Sequence, residues 1–172
     1  SPLPVIVYNV PSRTGSSVKP STFIRLCNDN ENIYAIKESS GDLSLAKEII
    51  NKSSSEVQVI SGDDAMTLPM LLAGGVGTIS VLANALPKSI VSLFQHVKNG
   101  NLNEAYKFNH SLMDMIRLLF EEGNPVGIKC LMELMGICTK TVRLPLVSAS
   151  SDLVNKMEEV LNNSIFNISG NQ

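Results

Sequence analysis

Four short segments rich in valine and isoleucine recur along the first half of this chain. They are Val5–Val10, Ile33–Glu38, Val57–Ser61 and Gly77–Leu82. Their starts lie about 20 to 30 residues apart, which is the length of one strand plus a crossover helix. Nearly continuous apolar strands are typical of parallel sheets that are covered on both faces. Because crossovers between parallel strands are right-handed, this spacing predicts four consecutive βα units in one parallel sheet.

Helical patterns fill the gaps between these strands and then replace them. Between the strands we predict Ser21–Cys27, Leu43–Asn51 and Ala65–Ala73. Asp42 is the expected cap of the second helix, and Gly74-Gly75 is the expected stop of the third. After the strands we predict only helices, namely Pro87–Lys98, Leu102–Phe120, Pro125–Met135 and Ser151–Leu161. The chain therefore divides into strands with crossover helices (1–86), a helical region (87–162) and a disordered tail (163–172).

Composition narrows the class of protein. A chain of 172 residues is long enough for one domain with a substantial core, and 44% of its residues are hydrophobic while 17% are charged. No apolar run reaches the roughly 18 residues of a membrane span, and we expect a cytoplasmic protein without membrane contacts. A net charge of −2 with scattered basic residues gives no surface for nucleic acid. Cys27, Cys130 and Cys138 are too few for a disulfide scaffold, and we expect small core residues in a reducing compartment.

Polar or unusual residues follow each predicted strand. Tyr8 ends the first strand and Lys37 the second, while Ser61-Gly62-Asp63-Asp64 follows the third and Ile79-Ser80 lies in the fourth. In parallel α/β folds the ligand binds at the carboxyl ends of the strands. The sequence therefore predicts a binding site that combines these four positions.

Lys37 carries the most chemical information among them. A lysine at the end of an apolar strand either pairs with a carboxylate and is structural, or keeps a partly desolvated amine for use as a nucleophile. A desolvated amine has a lowered pKa, so its neutral form can attack a carbonyl and form a Schiff base.

The other strand-end residues also have structural alternatives that the sequence leaves open. Tyr8 is equally consistent with a buried core tyrosine whose hydroxyl bonds to the backbone. Arg13 is consistent with a solvated loop arginine, and Gly62-Asp63-Asp64 with a turn followed by a helix cap. The two acids have no histidine or third carboxylate nearby, so we expect no metal. Gly74-Gly75-Val76-Gly77 precedes a strand, which indicates a tight turn and not a phosphate loop.

The strand ends carry four motifs, which are Tyr8-Asn9-Val10-Pro11-Ser12-Arg13-Thr14-Gly15, Ile36-Lys37-Glu38-Ser39-Ser40-Gly41, Ser61-Gly62-Asp63-Asp64 and Gly75-Val76-Gly77-Thr78-Ile79-Ser80-Val81. Taken in order, they resemble the motifs of the dihydrodipicolinate synthase family. The later Glu122–Lys129 and Val142–Leu146 also fit. The family belongs to the Schiff-base aldolases, which include N-acetylneuraminate lyase. The tyrosine and lysine motifs are shared across that superfamily, whereas Arg13 and the Gly62-Asp63-Asp64 turn point to the synthases.

The resemblance implies an α/β fold, a TIM (β/α)8 barrel, of which this chain is the second half plus a C-terminal helical region. It implies a lyase of lysine biosynthesis that condenses pyruvate with aspartate 4-semialdehyde, without a cofactor, in a homo-oligomer that is a tetramer. Lys37 is then the Schiff-base nucleophile and Tyr8 passes protons. The implied substrate-binding residues are Arg13, Thr14, Gly62, Asp63 and Ile79, and Ile79 would meet pyruvate through its backbone.

The chain begins at Ser1, and strand-like sequence follows at once, so we expect a fragment whose N-terminal part is missing. A half-barrel exposes two sheet edges and one layer of inward side chains. We therefore expect residues 1–172 alone to be inactive and aggregated, molten or self-associated. Two alternatives stay open. One is another Schiff-base aldolase such as N-acetylneuraminate lyase, and the other is a non-catalytic half-barrel that acts as an assembly module.

Overall fold

Four parallel strands form one sheet in the first half of the chain, as the spacing of the valine-rich segments predicts. The computed structural model describes residues 2–163, which fall into two compact units that divide between Ser80 and Val81. The strands are β1 (Val5–Asn9), β2 (Ile33–Glu38), β3 (Gln58–Ser61) and β4 (Gly77–Thr78). Their order in the sheet is their order in the chain, and every neighbouring pair is parallel. The predicted domain boundary at 86/87 lies slightly further along the chain and stays a prediction.

The fourth strand is much shorter than the predicted Gly77–Leu82. Only Gly77 and Thr78 pair with β3, and Leu82–Asn84 forms a 3-10 turn. The backbone amide of Ile79 donates to the Ser61 carbonyl at 2.8 Å, after which Val81 has helical dihedral angles. The β-branched Ile79 and Val81, which suggested a longer strand, therefore lie between the strand and the turn, because tertiary context overrides β-propensity.

Three helices of the first unit cover one face of this sheet, namely α2 (Pro20–Asp29), α3 (Leu43–Lys52) and α4 (Thr67–Leu72). The single-turn helix α1 (Pro11–Thr14) directly follows β1, and a 3-10 turn forms at Asp64–Met66. Asp42 caps α3 as predicted, since its carboxylate accepts from the amides of Ser44 and Leu45. The single helix predicted at Ala65–Ala73 is a 3-10 turn followed by α4. Helix α1 was not predicted because it is one turn long.

A buried apolar cluster joins this face of the sheet to the helices. It contains Phe23, Ile36, Ala46, Ile49, Val59 and Met70. Side chains alternate along a strand, so the neighbours of Ile36 and Val59 point to the other face. On that other face Ile6 and Tyr8 of β1 are 39% and 50% exposed. The prediction of strands buried on both faces is therefore wrong for β1 within residues 2–163.

The second unit is helical. It contains the Leu82–Asn84 turn, α5 (Pro87–Lys98), α6 (Leu102–Glu121), α7 (Val126–Leu134) and α8 (Ser151–Asn163). Lys156 of α8 bridges Glu121 of α6 at 2.6 Å and Asp152 of its own helix at 2.7 Å. Hydrogen bonds to these two carboxylates, that to Asp152 first, raise the pKa of Lys156. Helix α8 extends two residues beyond the predicted end at Leu161 and includes Asn163, which was assigned to the tail, while 164–172 lie outside the described residues.

Cysteine burial only partly follows the sequence prediction. Cys130 is buried and Cys27 is half-buried, but Cys138 is exposed in the loop after α7, so the core assignment of Cys138 is wrong. Burial raises the pKa of the Cys130 thiol. Across residues 2–163, no helix combines the length and the apolar character needed to cross a membrane.

Candidate active site

The side chains of Lys37 and Tyr8 meet on the exposed face of the sheet. Their Cα atoms are partners in the β1–β2 register, and both side chains leave the sheet on the same side. The Lys37 amine lies 4.0 Å from the centroid of the Tyr8 ring, within the range of a cation–π contact. Tyr8 is half exposed within residues 2–163, whereas the structural alternative expects a buried core tyrosine. Among the described residues no carboxylate pairs with Lys37, and its side chain is partly exposed.

Gly62 lies directly against the Lys37 side chain. Its amide donates to the Glu38 carbonyl at 2.8 Å, which holds the turn after β3 close to the end of β2. A Cβ atom at position 62 would lie 2.7 Å from Cε and 2.9 Å from Cγ of Lys37, and it would overlap the Ser39 hydroxyl. The sequence suggested that Gly62 lines a pocket. In the structure the missing side chain provides the space that the lysine occupies.

Asp63 acts as a helix cap. Its carboxylate accepts from the Ala65 amide at 2.9 Å, and its carbonyl accepts from the hydroxyls of Ser61 (2.8 Å) and Thr67 (3.2 Å). The structural alternative that the sequence left open, a turn followed by a cap, is therefore present. A contact between Asp63 and substrate stays a prediction.

The three remaining predicted residues lie at the same carboxyl edge of the sheet. Arg13 and Thr14 are exposed on α1, which directly follows β1. The Thr14 hydroxyl bonds to the carbonyls of Val10 at 3.2 Å and Ser16 at 2.8 Å, so its first role here is to close the turn. Ile79 is 45% exposed, and its amide is already bonded to Ser61, which leaves its carbonyl or side chain for any ligand.

A polar layer lies one residue beyond the lysine, on the opposite face of the sheet. It consists of Asn9, Glu38 and Ser61, which are buried, and Thr78, which is partly buried; the four are register partners across all four strands. The Asn9 amide donates to the Glu38 carboxylate at 2.7 Å, and the Thr78 hydroxyl donates to the Ser61 carbonyl at 3.2 Å. Sequence reasoning missed this layer. Its signal was a polar residue directly after Tyr8, Lys37 and Ile60, at equivalent strand positions.

This arrangement defines a class of protein. A parallel βα sheet presents an accessible amine and a phenol together at the carboxyl ends of neighbouring strands, where (β/α)8-barrel proteins bind their ligands. The first unit thus has the architecture of part of such a barrel, with a site suited to attack on a small carbonyl compound.

Comparison with known proteins identifies the family within this class. The model of the dihydrodipicolinate synthetase family matches residues 1–164, and the chain belongs to that family. The 4-hydroxy-tetrahydrodipicolinate synthase of Flavobacterium psychrophilum is 44% identical over 158 residues, which are 92% of this chain and 54% of the relative. The chain thus spans about half the length of the curated relatives that it matches.

Solved structures agree with this assignment. Dihydrodipicolinate synthase from Thermotoga maritima superposes with a TM-score of 0.91 at 37% identity, over 94% of this chain and 56% of that protein. A chloride-inhibited dihydrodipicolinate synthase from Acinetobacter baumannii, in complex with pyruvate, gives 0.89 at 31% identity, over 94% of this chain and 55% of that one. The partial (β/α)8 barrel predicted from the sequence is confirmed.

Proposed function

We propose that this chain carries the catalytic lysine of a 4-hydroxy-tetrahydrodipicolinate synthase, a lyase that condenses pyruvate with aspartate 4-semialdehyde. The observation that carries the proposal is the contact between Lys37 and Tyr8, in which an accessible amine lies 4.0 Å from the centre of a phenol ring. Membership of the family and the pyruvate complex of the Acinetobacter baumannii relative support the choice of substrate.

The proposed reaction begins at Lys37. Its neutral amine attacks the ketone carbon of pyruvate, and the resulting carbinolamine loses water to give an iminium. The iminium accepts the electron pair of a methyl C–H bond as that proton leaves, which forms an enamine. The enamine carbon then attacks the aldehyde of aspartate semialdehyde. The amine of the second substrate finally attacks the iminium carbon and releases Lys37 as the ring closes.

Tyr8 and the loop residues have separate roles in this scheme. The Tyr8 hydroxyl both donates and accepts, so it can carry protons to and from the carbinolamine oxygen. Arg13 offers a planar pair of N–H donors that matches the carboxylate of aspartate semialdehyde, and Thr14 and Asp63 are further proposed substrate contacts. Ile79 borders the pyruvate end of the site through its carbonyl. Gly62 leaves room for the lysine.

The chain spans about half of its relatives, so the complete activity requires the rest of a barrel. We propose that four further βα units close the sheet over the exposed side chains of β1 and supply the remaining substrate contacts. Residues 1–172 alone are then inactive. By family, we expect a cytoplasmic homo-oligomer, a tetramer, although a solved relative is described as a monomeric variant.

The substrate assay uses the complete gene product, with cyclised product measured after incubation with pyruvate and aspartate semialdehyde. The proposal predicts turnover with this pair and none with N-acetylneuraminate. Cleavage of N-acetylneuraminate without condensation would assign the chain to the other branch of the superfamily. Lack of both activities in a folded, complete protein would favour a non-catalytic assembly module.

A further inference from the structure

The Glu38 carboxylate is the most deeply buried acidic group next to the candidate site. Glu38 is 1% exposed and Asn9 is 2% exposed. The carboxylate accepts from the Asn9 side-chain amide at 2.7 Å and from the Ser40 backbone amide at 2.6 Å. A buried carboxylate is tolerated when such donors replace water, and it becomes strongly destabilising when one of them is removed. The hydrogen-bonded pair of Asn9 and Glu38 therefore stabilises this part of the fold.

The position of the pair relates it directly to the lysine and the tyrosine. Asn9 follows Tyr8 on β1, Glu38 follows Lys37 on β2, and the two pairs occupy successive rungs of the same register. The Asn9 carbonyl also accepts from the Ser39 amide at 2.9 Å. The pair thus joins the two strands on one face, one residue beyond the contact that Lys37 and Tyr8 make on the other.

Asn9 also extends the connection to the loop that follows α1. Its side-chain carbonyl oxygen accepts from the Val18 amide at 3.0 Å, and its amide lies 3.4 Å from the Ser17 hydroxyl. One asparagine side chain therefore links β1, β2 and the loop. Because both side-chain ends are used, a change at Asn9 affects the loop and the strand together.

We propose that Asn9 and Glu38 are positioning residues, which fix the Tyr8 ring against the Lys37 amine from the opposite face of the sheet. Neither touches the reacting atoms. Their effect on the reaction rests on the proposed function, whereas their effect on the geometry of Tyr8 and Lys37 does not.

Exchange of the amide and the carboxylate between positions 9 and 38 tests this proposal. Asn9→Asp places two buried carboxylates side by side, and Glu38→Gln turns one of its acceptor oxygens into a donor that faces another donor. The double variant Asn9→Asp/Glu38→Gln restores these contacts, with donor and acceptor exchanged only between the two side chains. The glutamine amide then donates to the aspartate, the glutamine oxygen accepts from Ser40, and the second aspartate oxygen accepts from Val18.

Two measurements on the complete gene product separate geometry from function. The first is the ¹³C-methyl resonance of reductively methylated Lys37, assigned by its absence in Lys37→Arg. Because the amine lies 4.0 Å from the centre of the Tyr8 ring, we expect the ring to shift this resonance upfield. The second is the rate of borohydride trapping at saturating pyruvate. Asp42→Ala serves as the control for stability, since Asp42 caps α3 and is not bonded to either strand.

The proposal predicts that each single variant loses the upfield shift and traps pyruvate roughly 100-fold more slowly, the effect of a displacement of about 1 Å. The double variant recovers both, and Asp42→Ala lowers the melting temperature alone. If the single variants do not fold, the milder Glu38→Asp, which keeps the charge but shortens the reach, takes their place and is expected to lose the shift.

Single variants that melt lower but keep both the shift and the trapping rate would overturn the proposal, because the pair would then stabilise the fold only. Failure of the double variant to recover the shift would overturn it as well. If the unchanged protein traps no pyruvate while the shift still depends on the pair, the positioning role stands and the proposed function fails.

Discussion

A single methyl group at position 62 should disable the candidate site without unfolding the protein. A Cβ atom there would lie 2.7 Å from Cε and 2.9 Å from Cγ of Lys37. Relaxed carbon–carbon contacts are about 3.5–4.0 Å, so the lysine chain must retreat by roughly 1 Å. The Ser39 hydroxyl, which the methyl group would overlap, can rotate away. The contact at Cγ cannot be relieved at the tip of the lysine, and Lys37 has to change its rotamer.

The expected loss follows from these distances. Overpacking of this kind reduces the free energy of unfolding by about 1–3 kcal/mol. Displacement of the reacting amine by about 1 Å slows the reaction by roughly 100-fold, so the main effect of the variant is on activity. We expect Gly62→Ala to show this loss in both steady-state condensation and the trapping rate with pyruvate. Ser39→Ala/Gly62→Ala should stay equally slow, since it removes the hydroxyl but not the contacts with the lysine.

Gly77→Ala is the matched control. The same change on the neighbouring β4 places a Cβ atom with nothing within 4 Å among the described residues. This variant should keep its activity and melt at an unchanged or slightly higher temperature, because alanine restricts the unfolded chain more than glycine does. Full activity in Gly62→Ala, or an equal loss of activity in both glycine variants, would show that the space beside Lys37 does not matter for the reaction.

Three further predictions concern other parts of the chain. Arg13→Ala should harm use of aspartate semialdehyde far more than pyruvate trapping, by about 2–3 kcal/mol or roughly 30- to 150-fold, and equal losses in the two assays would contradict the assigned role. Gly127→Ala should lower the melting temperature, because its Cβ would lie 2.6 Å from the carbonyl carbon and 2.7 Å from the Cα of Leu119, backbone atoms that cannot rotate away. Unchanged melting would contradict this close approach. Asp42→Ala should lower the melting temperature at pH 7, since hydrogen bonds from Ser44, the largest cause, and from Leu45 lower the pKa of Asp42. That contribution is fully present above the unfolded-state pKa of about 3.9 and is lost as the pH falls through the lower folded-state pKa, so a stability gap that stayed constant into strong acid would contradict it.

The sequence predicted those elements whose ends are marked by strong local signals. Strand β2 and helix α5 have the bounds expected from the apolar run Ile33–Glu38 and from the proline and glycine that enclose Pro87–Lys98. The length of strand β4 was overestimated because isoleucine and valine favour strands. In the structure the hydrogen bond from the Ile79 amide to the carbonyl of Ser61, the last residue of β3, ends the pairing. Local propensity does not encode where a neighbouring strand stops offering partners.

In the candidate site, too, the sequence predicts local features but not those that depend on long-range packing. That Tyr8 and Lys37 lie at strand ends follows from the sequence, but their contact depends on the register, which aligns them across β1 and β2. The Asn9–Glu38 pair and the fit of Gly62 against the lysine depend on long-range packing. The sequence does not show whether a glutamate is buried, so the burial of Glu38 is known only from the structure.

Reduction of the complete gene product with borohydride, in the presence and absence of pyruvate, is the most direct test of Lys37 as the Schiff-base nucleophile. We expect one covalent adduct per chain that depends on pyruvate, which peptide mapping places on Lys37. Lys37→Ala should abolish it, and Lys37→Arg should not restore it, because a guanidinium stays protonated. An adduct on Lys47 or Lys129, or no adduct in a folded protein, would contradict the account.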